Sequence, residues 1–302
     1  MNLAGKMSKR RDVEGRIASL GEIHGIMNSM KNLAMMETRK LARYHKLQQQ
    51  VVSSVSCALN DVRQHYAPDP AEIDVQPLYL LIGSERGFCG AYNQQLIEVL
   101  AQQPANAVAP LIAVGTRLAG PLQRVYPHAV FLRGAAVADE VDAVLVAVIT
   151  AFNRLRQQHG PLRLEVIHFQ PDVQRPSCQS ALPPLETGSV QGLPPLVNLP
   201  SQQLLGALLE QYLFALAHAW LFASLMAENQ RRVQHLDQAG HHLEQRMDEL
   251  GKRRNMLRQE EIIEEIEVIL LSAASLDEAA GRHERGFFAH NDSHAGSISN
   301  FS

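Results

Sequence analysis

The segment with the strongest chemical signal is residues 83–93, which reads GSERGFCGAYN. It stands between an apolar run and a predicted helix, the position in which glycine-rich loops bind phosphate. It lacks the Gly-Lys-Ser/Thr ending of a P-loop, however, and its glycine spacing does not fit the dinucleotide-binding fingerprint. A tight strand-to-helix turn that needs glycine conformations is therefore favoured over a nucleotide site.

Cys89 lies inside this segment, next to a predicted helix N-terminus, where the pKa of a thiol falls. No histidine or aspartate partner can be assigned to it, so a packed structural cysteine is favoured over a nucleophile. The three cysteines, Cys57, Cys89 and Cys178, are odd in number and widely spaced. This pattern indicates a reducing compartment, without a disulfide framework or a zinc site.

The remaining charged and histidine-rich segments favour solvated helix faces. His241 and His242 are adjacent, so they point in different directions on a helix and do not form a metal pair. The acidic run 260–267 and the basic clusters 9–11 and 252–254 are typical of an outer, solvent-facing surface. Nothing assembles into a catalytic constellation, so the sequence predicts a non-catalytic protein without cofactor or metal.

Composition excludes further classes of function. The chain has 302 residues, 46% of them hydrophobic, and a formal net charge of −3, which argues against an electrostatic nucleic-acid binder. The N-terminus is basic but no apolar run follows it, so a secretory signal is not expected. The longest apolar stretches, residues 143–149 and 266–271, are too short to span a bilayer. Any work at a membrane is expected to pass through partners.

The distribution of proline gives the domain organisation. All fifteen prolines lie between Pro68 and Pro200, and proline inside a helix costs roughly 3 kcal/mol. We therefore predict an N-terminal helix over residues 1–67, an α/β domain over 68–200 and a C-terminal helix over 201–279. Residues 280–302 are rich in His, Gly, Ser and Asn and are predicted to be a disordered tail.

Both arms carry apolar residues at steps of three and four, which predict a seam for another helix. In the first arm these are Val13, Ile17, Leu20, Met27, Met30, Leu41, Tyr44, Val51 and Val55. In the last arm the seam includes Leu209, Tyr212, Leu216, Trp220, Leu236, Leu243, Leu250, Leu257 and Ile266. The arms would reach about 85 Å and about 110 Å as continuous helices, so we expect them to pair with each other as a long antiparallel coiled coil.

The middle of the chain alternates between strand and helix patterns. Strands are predicted at residues 77–83, 111–114, 129–132 and 164–169. Helices are predicted at 94–103, at a short segment ending at Arg124, and at 139–159. Apolar strands that alternate with helices indicate a parallel sheet covered on both faces. Residues 172–200 are predicted to be mostly loop.

Three separated segments resemble the gamma subunit of F-type ATP synthases. Residues 84–90 (SERGFCG), with Asn93, are similar to the family's Ser-Asp-Arg-Gly-Leu-Cys-Gly turn and its following Asn. Residues 16–20 (RIASL) are similar to the family's Arg-Ile-x-Ser-Val start. Residues 258–274 resemble its C-terminal signature, and Glu228 with Arg232 match a Glu-x-x-x-Arg feature of the same helix. The resemblance covers roughly residues 10–276.

The chain departs from the family pattern at several positions. Gly25, Asn28 and Glu37 stand where lysines are expected, and Ile263 and Ser272 replace the Thr and Gly of the C-terminal signature. These departures indicate a divergent branch, of the alternative type that is encoded beside a standard synthase.

The resemblance implies a central rotor shaft that couples ion flow through a membrane c-ring to conformational change in catalytic beta subunits. Its implied partners are the alpha, beta and epsilon subunits and the c-ring, at the cytoplasmic face of the bacterial inner membrane. The implied contacts with beta-subunit loops are Met30, Glu228, Arg232, Arg258, Gln259 and Glu265. The implied structural turn comprises Arg86, Gly87, Cys89, Gly90 and Asn93.

Two readings from other classes of protein remain open on the sequence alone. One is a nucleotide-binding α/β enzyme with a helical dimerisation arm, for which the segment 83–93 would be the phosphate loop. The other is a generic coiled-coil adapter, for which that turn would have no role in assembly.

Overall fold

The computed structural model describes residues 3–66, 75–104, 108–181 and 194–291. These residues divide into two compact units. The helical unit comprises Met1–Ile26 and Gly240–Ser302, and the α/β unit comprises Met27–Ala239. The predicted fold class, long terminal helices with an α/β sheet between them, is confirmed.

Helices and strands follow the order that the proline distribution predicts. Helix α1 spans Leu3–Tyr66 and helix α5 spans Ser201–Asn291. Between them the structure has strands β1 (Pro77–Ile82), β2 (Leu111–Val114), β3 (Val130–Leu132), β4 (Arg163–His168) and β5 (Ser177–Ser180). It also has helices α2 (Tyr92–Ala101), α3 (Thr116–Gln123) and α4 (Val141–His159), with a 3-10 turn at Ala138–Glu140 before α4.

The sheet has the strand order β3-β2-β1-β4-β5. The pairs β1–β2, β1–β4 and β2–β3 are parallel, whereas β4–β5 is antiparallel. The expectation of an all-parallel sheet was therefore wrong at β5, a strand that lies inside the region predicted to be loop. Only residues 169–176 separate β4 from β5, and so short a connection cannot make the crossover that a parallel neighbour requires.

The strands alternate between two apolar clusters, one on each face of the sheet. Leu78, Leu80 and Ile82 of β1 face a cluster that contains α4 and the buried part of α5. Tyr79 and Leu81 face the opposite cluster, which contains α2 and α3. Because successive side chains of a strand point to opposite faces, a continuous apolar run is what a sheet covered on both faces requires.

Helix α5 includes a segment, Ser201–Ala273, that is long and apolar enough to cross a membrane by length and composition; it is the one such segment among the described residues. The core helix of a soluble protein passes the same test. Within this segment Trp220, Leu221 and Leu225 are buried in the first apolar cluster, against the sheet.

In each unit α1 and α5 run antiparallel. In the helical unit Arg10 contacts Glu261 and His24 contacts Glu244. In the α/β unit Lys31 contacts Asp237, and the Gln48 amide donates to the carbonyl of Ala215.

The seam of α1 differs in detail from the predicted one. Tyr44 and Val51 are 42% and 47% exposed, and the half-buried positions are His45, Gln48 and Val52. Because polar residues occupy the seam, a pattern built only from apolar residues was displaced by one position here.

The C-terminal end of α5 also differs from the prediction. The helix continues to Asn291, so residues 280–291 are helical although the sequence assigned them to a disordered tail. Ala279, Ala280 and the charged residues around them are good helix formers, which offset the two glycines of this stretch. Residues 292–302 of the predicted tail lie outside the described residues.

Candidate functional site

The turn after β1 is the most constrained backbone segment of the α/β unit. Phe88 has a φ of 65° and Gly90 a φ of 60°. Positive φ is ordinary for glycine but unfavourable for a bulky residue such as phenylalanine. Such a conformation persists only where surrounding contacts enforce it, so the contacts of this turn indicate what it is for.

Asn93 closes the turn against the start of α2. Its side-chain oxygen accepts the N–H of Ser84 at 2.9 Å, and its Nδ2 donates to Ser84 Oγ at 2.8 Å. Gly83 lies so close that a Cβ at this position would come within 2.9 Å of the Asn93 oxygen and of Leu118. Gly83 and Asn93 thus form one tight junction between β1 and α2.

Glu85 joins the ends of three neighbouring strands. Its carboxylate accepts the N–H of Thr116 at 2.9 Å, the Thr116 hydroxyl at 2.7 Å and the N–H of Gly134 at 2.8 Å. Burial alone would raise the pKa of Glu85, but the hydrogen bonds from Thr116 and Gly134 outweigh burial and lower it. Sequence reasoning treated Glu85 only as part of the turn motif and missed this role.

Glu228 of α5 is bonded to the backbone of the same turn. Its Oε2 accepts the N–H of Glu85 at 3.1 Å, and its Oε1 accepts the N–H of Arg86 at 3.2 Å. The side chain is 2% exposed. Burial raises the pKa of Glu228, whereas Arg232 and the two backbone donors act in the opposite direction.

Arg232 completes this network from one helical turn further along α5. Its guanidinium donates to Glu228, to the carbonyl of Gly87 at 3.1 Å, to the side chain of Asn229 at 2.7 Å and to the sulfur of Cys89 at 3.5 Å. Arg232 is 4% exposed. We call Glu228 and Arg232, together with the turn they bind, the Glu–Arg clamp.

The clamp occupies the position at which a nucleotide phosphate would bind. In this strand order β1 has β2 on one side and β4 on the other, so the carboxyl ends of β1 and β4 form the switch point where doubly wound sheets take their ligands. There the backbone N–H groups of Glu85 and Arg86 already bind the carboxylate of Glu228. The segment that looks like a phosphate loop therefore holds an anion from its own chain.

Cys89 is buried within the clamp. Its thiol donates toward the carbonyls of Arg86 and Gly87 at 3.5 and 3.4 Å. Burial, with a smaller contribution from Glu228, raises the pKa of the thiol to about 12. The sulfur therefore stays protonated at neutral pH and lacks the thiolate that a nucleophile needs.

The residues assigned to a partner subunit fall into two groups. Glu228 and Arg232 are buried and bonded within the α/β unit, and Met30 of the same unit is half-buried. Arg258, Gln259 and Glu265 are exposed on α5 in the helical unit. The structure thus offers the second group to a partner directly, whereas the clamp would have to open before a partner could reach the first two.

An apolar surface follows Glu261, the last buried residue described on α5. Its members are 46% to 71% exposed and comprise Ile262, Ile263, Ile266, Val268, Ile269, Leu270 and Leu271. Contiguous exposed apolar surface of this kind marks an interaction site. Ile263, one of the departures from the family pattern, belongs to this surface, and the hydroxyl of Ser272, another departure, donates to the carbonyl of Ile269 at 2.8 Å.

A third departure has a contact of its own. The carboxylate of Glu37, where the family has a lysine, accepts the N–H of Ala138 at 2.7 Å at the start of the 3-10 turn. A lysine could not accept this bond. For metal binding, no group of three or more His, Cys, Asp or Glu side chains with suitable geometry occurs in the part of the chain that the structure describes.

A sequence model of the family described as ATP synthase matches residues 9–276. Curated relatives are named ATP synthase gamma chain. That of Pelotomaculum thermopropionicum is 24% identical over 289 residues, covering 90% of this chain and all of the relative. That of Coxiella burnetii is 24% identical over 295 residues, with the same coverage.

Solved structures share the fold at low identity. The rotor of the Euglena gracilis mitochondrial ATP synthase matches with a TM-score of 0.58 and 17% identity over 84% of this chain and 99% of that one. A chain from the OSCP/F1/c-ring assembly of the same enzyme matches with a TM-score of 0.57 and 15% identity over 98% of this chain.

Proposed function

The chain belongs to the ATP synthase family, and we propose that it is the central rotor shaft of such a complex. In this role it couples ion flow through a membrane ring to conformational change in catalytic subunits. The observation that carries the proposal is the surface of α5 in the helical unit, where an apolar run from Ile262 to Leu271 has no core of its own chain to enter.

The shaft itself performs no covalent chemistry. Its one loop of phosphate-binding appearance is filled by Glu228, and the thiol of Cys89 remains protonated. Hydrolysis and synthesis of ATP are therefore assigned to partner subunits, and this chain acts by favouring different conformations of them as it turns. A rotor influences a partner only to the extent that its contacts differ between the partner's conformations.

The partners follow from the family and from the surfaces of each unit. We assign the exposed Arg258, Gln259 and Glu265, with the apolar surface beside them, to the ring of alpha and beta subunits. Met30 is assigned to beta-subunit loops on family resemblance alone. The α/β unit is assigned to epsilon and to the c-ring. The protein then lies at the cytoplasmic face of the bacterial inner membrane and is held there by its partners.

The test is reconstitution of the complex with this chain as its only gamma subunit, in vesicles that report ATP hydrolysis and ATP-driven ion pumping. We expect co-purification with alpha and beta subunits and pumping that stops when the chain is omitted. High-affinity ATP binding by the isolated chain, without such assembly, would falsify the proposal in favour of a nucleotide-binding enzyme.

A paired substitution tests the surface assignment. Arg258→Ala with Gln259→Ala removes two exposed polar side chains without disturbing a core, so assembly and folding should persist while pumping falls. Arg253→Ala is the matched control, because Arg253 is exposed on the same helix about 140° away around its axis. Equal pumping by the two variants would remove the assignment.

A further inference from the structure

We propose that the ligand crevice of the sheet has become the mount of the shaft: one turn of α5, residues 228–232, binds there as an internal ligand and sets the orientation of the helix. Glu228 and Arg232 then act on coupling as positioning residues inside this chain and not as contacts with a partner's loops. The inference rests on the proposed function, because coupling is meaningful only in a rotor.

The bonds made by this turn of α5 converge on the carboxyl ends of the two strands that flank the switch point. Glu228 and Arg232 bind the turn that follows β1. Gln230 binds the segment that follows β4, where its Oε1 accepts the N–H of Asp172 at 3.1 Å and its Nε2 donates to the Asp172 carboxylate at 3.0 Å. Consecutive side chains of the helix thus grip both walls of the crevice.

Arg231 fills the space between these two grips. Its guanidinium carbon lies 4.5 Å from the ring centre of Phe169, directly after β4, and it also donates to the carbonyl of Gln174. Stacking of a guanidinium on an aromatic face with a hydrogen bond beyond it is how a bound ligand is held in a pocket. Here the ligand is a segment of the chain itself.

Directional bonds fix what apolar packing leaves free. The apolar contacts of Trp220, Leu221 and Leu225 attach α5 to the sheet, but such attraction is roughly proportional to area and has no preferred direction. Hydrogen bonds weaken steeply with angle, so a small rotation of α5 about its axis would break several clamp bonds together. The clamp therefore sets the rotational position of the helix.

Two backbone outliers lie at the points that the helix grips. Phe88 at a φ of 65° belongs to the turn after β1, and Asp172 at a φ of 62° belongs to the segment after β4. These are the two non-glycine residues with positive φ in the described chain. Unfavourable backbone of this kind is held by over-determined surroundings, which these bonds provide.

The deciding variant removes both charges of the clamp and keeps its volume: Glu228→Gln with Arg232→Met. Replacing both members of a buried pair can be nearly neutral for stability, whereas removing one is not. In the reconstituted complex we expect normal assembly and ATP hydrolysis, with a several-fold loss of ions pumped per ATP hydrolysed. A purely structural role would instead lower assembly, hydrolysis and pumping in proportion.

The control is Asp237→Asn, which breaks the partly exposed pair with Lys31 on the same helix and should leave the pumping ratio unchanged. If the neutral pair fails to assemble, Gln230→Leu decides, since it breaks only the exposed grip on Asp172 and should lower the ratio by a smaller factor. A wild-type ratio in whichever variant assembles overturns the mount. A complex that does not pump even with the wild-type chain overturns the proposed function instead.

Discussion

Helix α5 is a core element in the α/β unit and a surface element in the helical unit. Between Ala215 and Asn229 most of its residues are buried, including the charged Glu228. In the helical unit, from Gly240 to Glu261, only about one residue in seven is fully buried. The difference teaches that one helix can be held by its own chain in one unit and depend on partners for burial in the other.

The means of attachment differ in the same way. In the helical unit the contacts between α1 and α5 include polar pairs, His24 with Glu244 at 3.1 Å and Arg10 with Glu261 at 2.9 Å. There Gly240 faces His24, whose ring lies 3.8 Å from the position of a Cβ. In the α/β unit the charged pair is desolvated and every donor has an acceptor. Free energy of folding should therefore be concentrated in the α/β unit.

The largest effect should come from Arg232→Ala. This change leaves the carboxylate of Glu228 buried without its cation, and loss of one member of a buried pair costs about 3–5 kcal/mol. Urea unfolding of the isolated chain measures it, with Arg253→Ala as an exposed control. A loss below about 1 kcal/mol would mean that the clamp is no more important than a surface pair, and the comparison between the two units would break.

An intermediate effect should appear on acidification, through His168. This residue is 1% exposed, its ring nitrogens lie 3.0 Å from the carbonyl of Phe169 and 3.3 Å from the Gln179 amide oxygen, and burial lowers its pKa. The unfolded chain, with a pKa near 6.5, then takes up the proton first. The contribution is present above about pH 6.5 and is lost as the pH falls toward the lowered value.

The measurement is the urea midpoint at a series of pH values for the wild type and His168→Gln. The wild type should lose stability below pH 6.5 more steeply, by about 1.4 kcal/mol for each unit that separates the two pKa values. The raised pKa of Glu228 acts in the opposite direction but is common to both proteins, so it cancels in the difference. His45, whose pKa burial also lowers, is likewise common to both. Parallel curves would exclude His168 as a source of the slope.

The smallest effect should come from Glu244→Gln in the helical unit. The side chain of Glu244 is 52% exposed, so loss of its pair with His24 should change stability by no more than about 0.5 kcal/mol. The same urea titration applies. A change as large as that of Arg232→Ala would show that the polar seam stabilises the chain as much as the buried clamp does.

The long helices and most of the sheet could be predicted because their signals are local. Fifteen prolines confined to the middle, and apolar runs such as residues 77–82, need no knowledge of tertiary contacts. Strand β5, with the sequence SCQS, has no such run, and its position is set by pairing with β4. The seam of α1 was displaced because His45 and Gln48 occupy positions where apolar residues were sought.

The clamp could not be predicted, because its two halves are more than 140 residues apart and one half is backbone. A backbone N–H leaves no mark in the sequence. The available signal was a Glu and an Arg four residues apart in a stretch of α5 that is otherwise rich in buried apolar residues. Such a pair needs internal partners, since a charge is almost never fully buried unless it is paired.

Filling of the crevice by Glu228 also makes this unit insensitive to metabolites. A tethered carboxylate competes at an effective concentration of at least about millimolar, with its own cation beside it. Free phosphate or ATP at cellular levels would have to displace it and leave Arg232 to be satisfied anew. The shaft is therefore deaf to the energy charge of the cell, and any inhibitor designed against a nucleotide pocket would find no vacancy in this sheet.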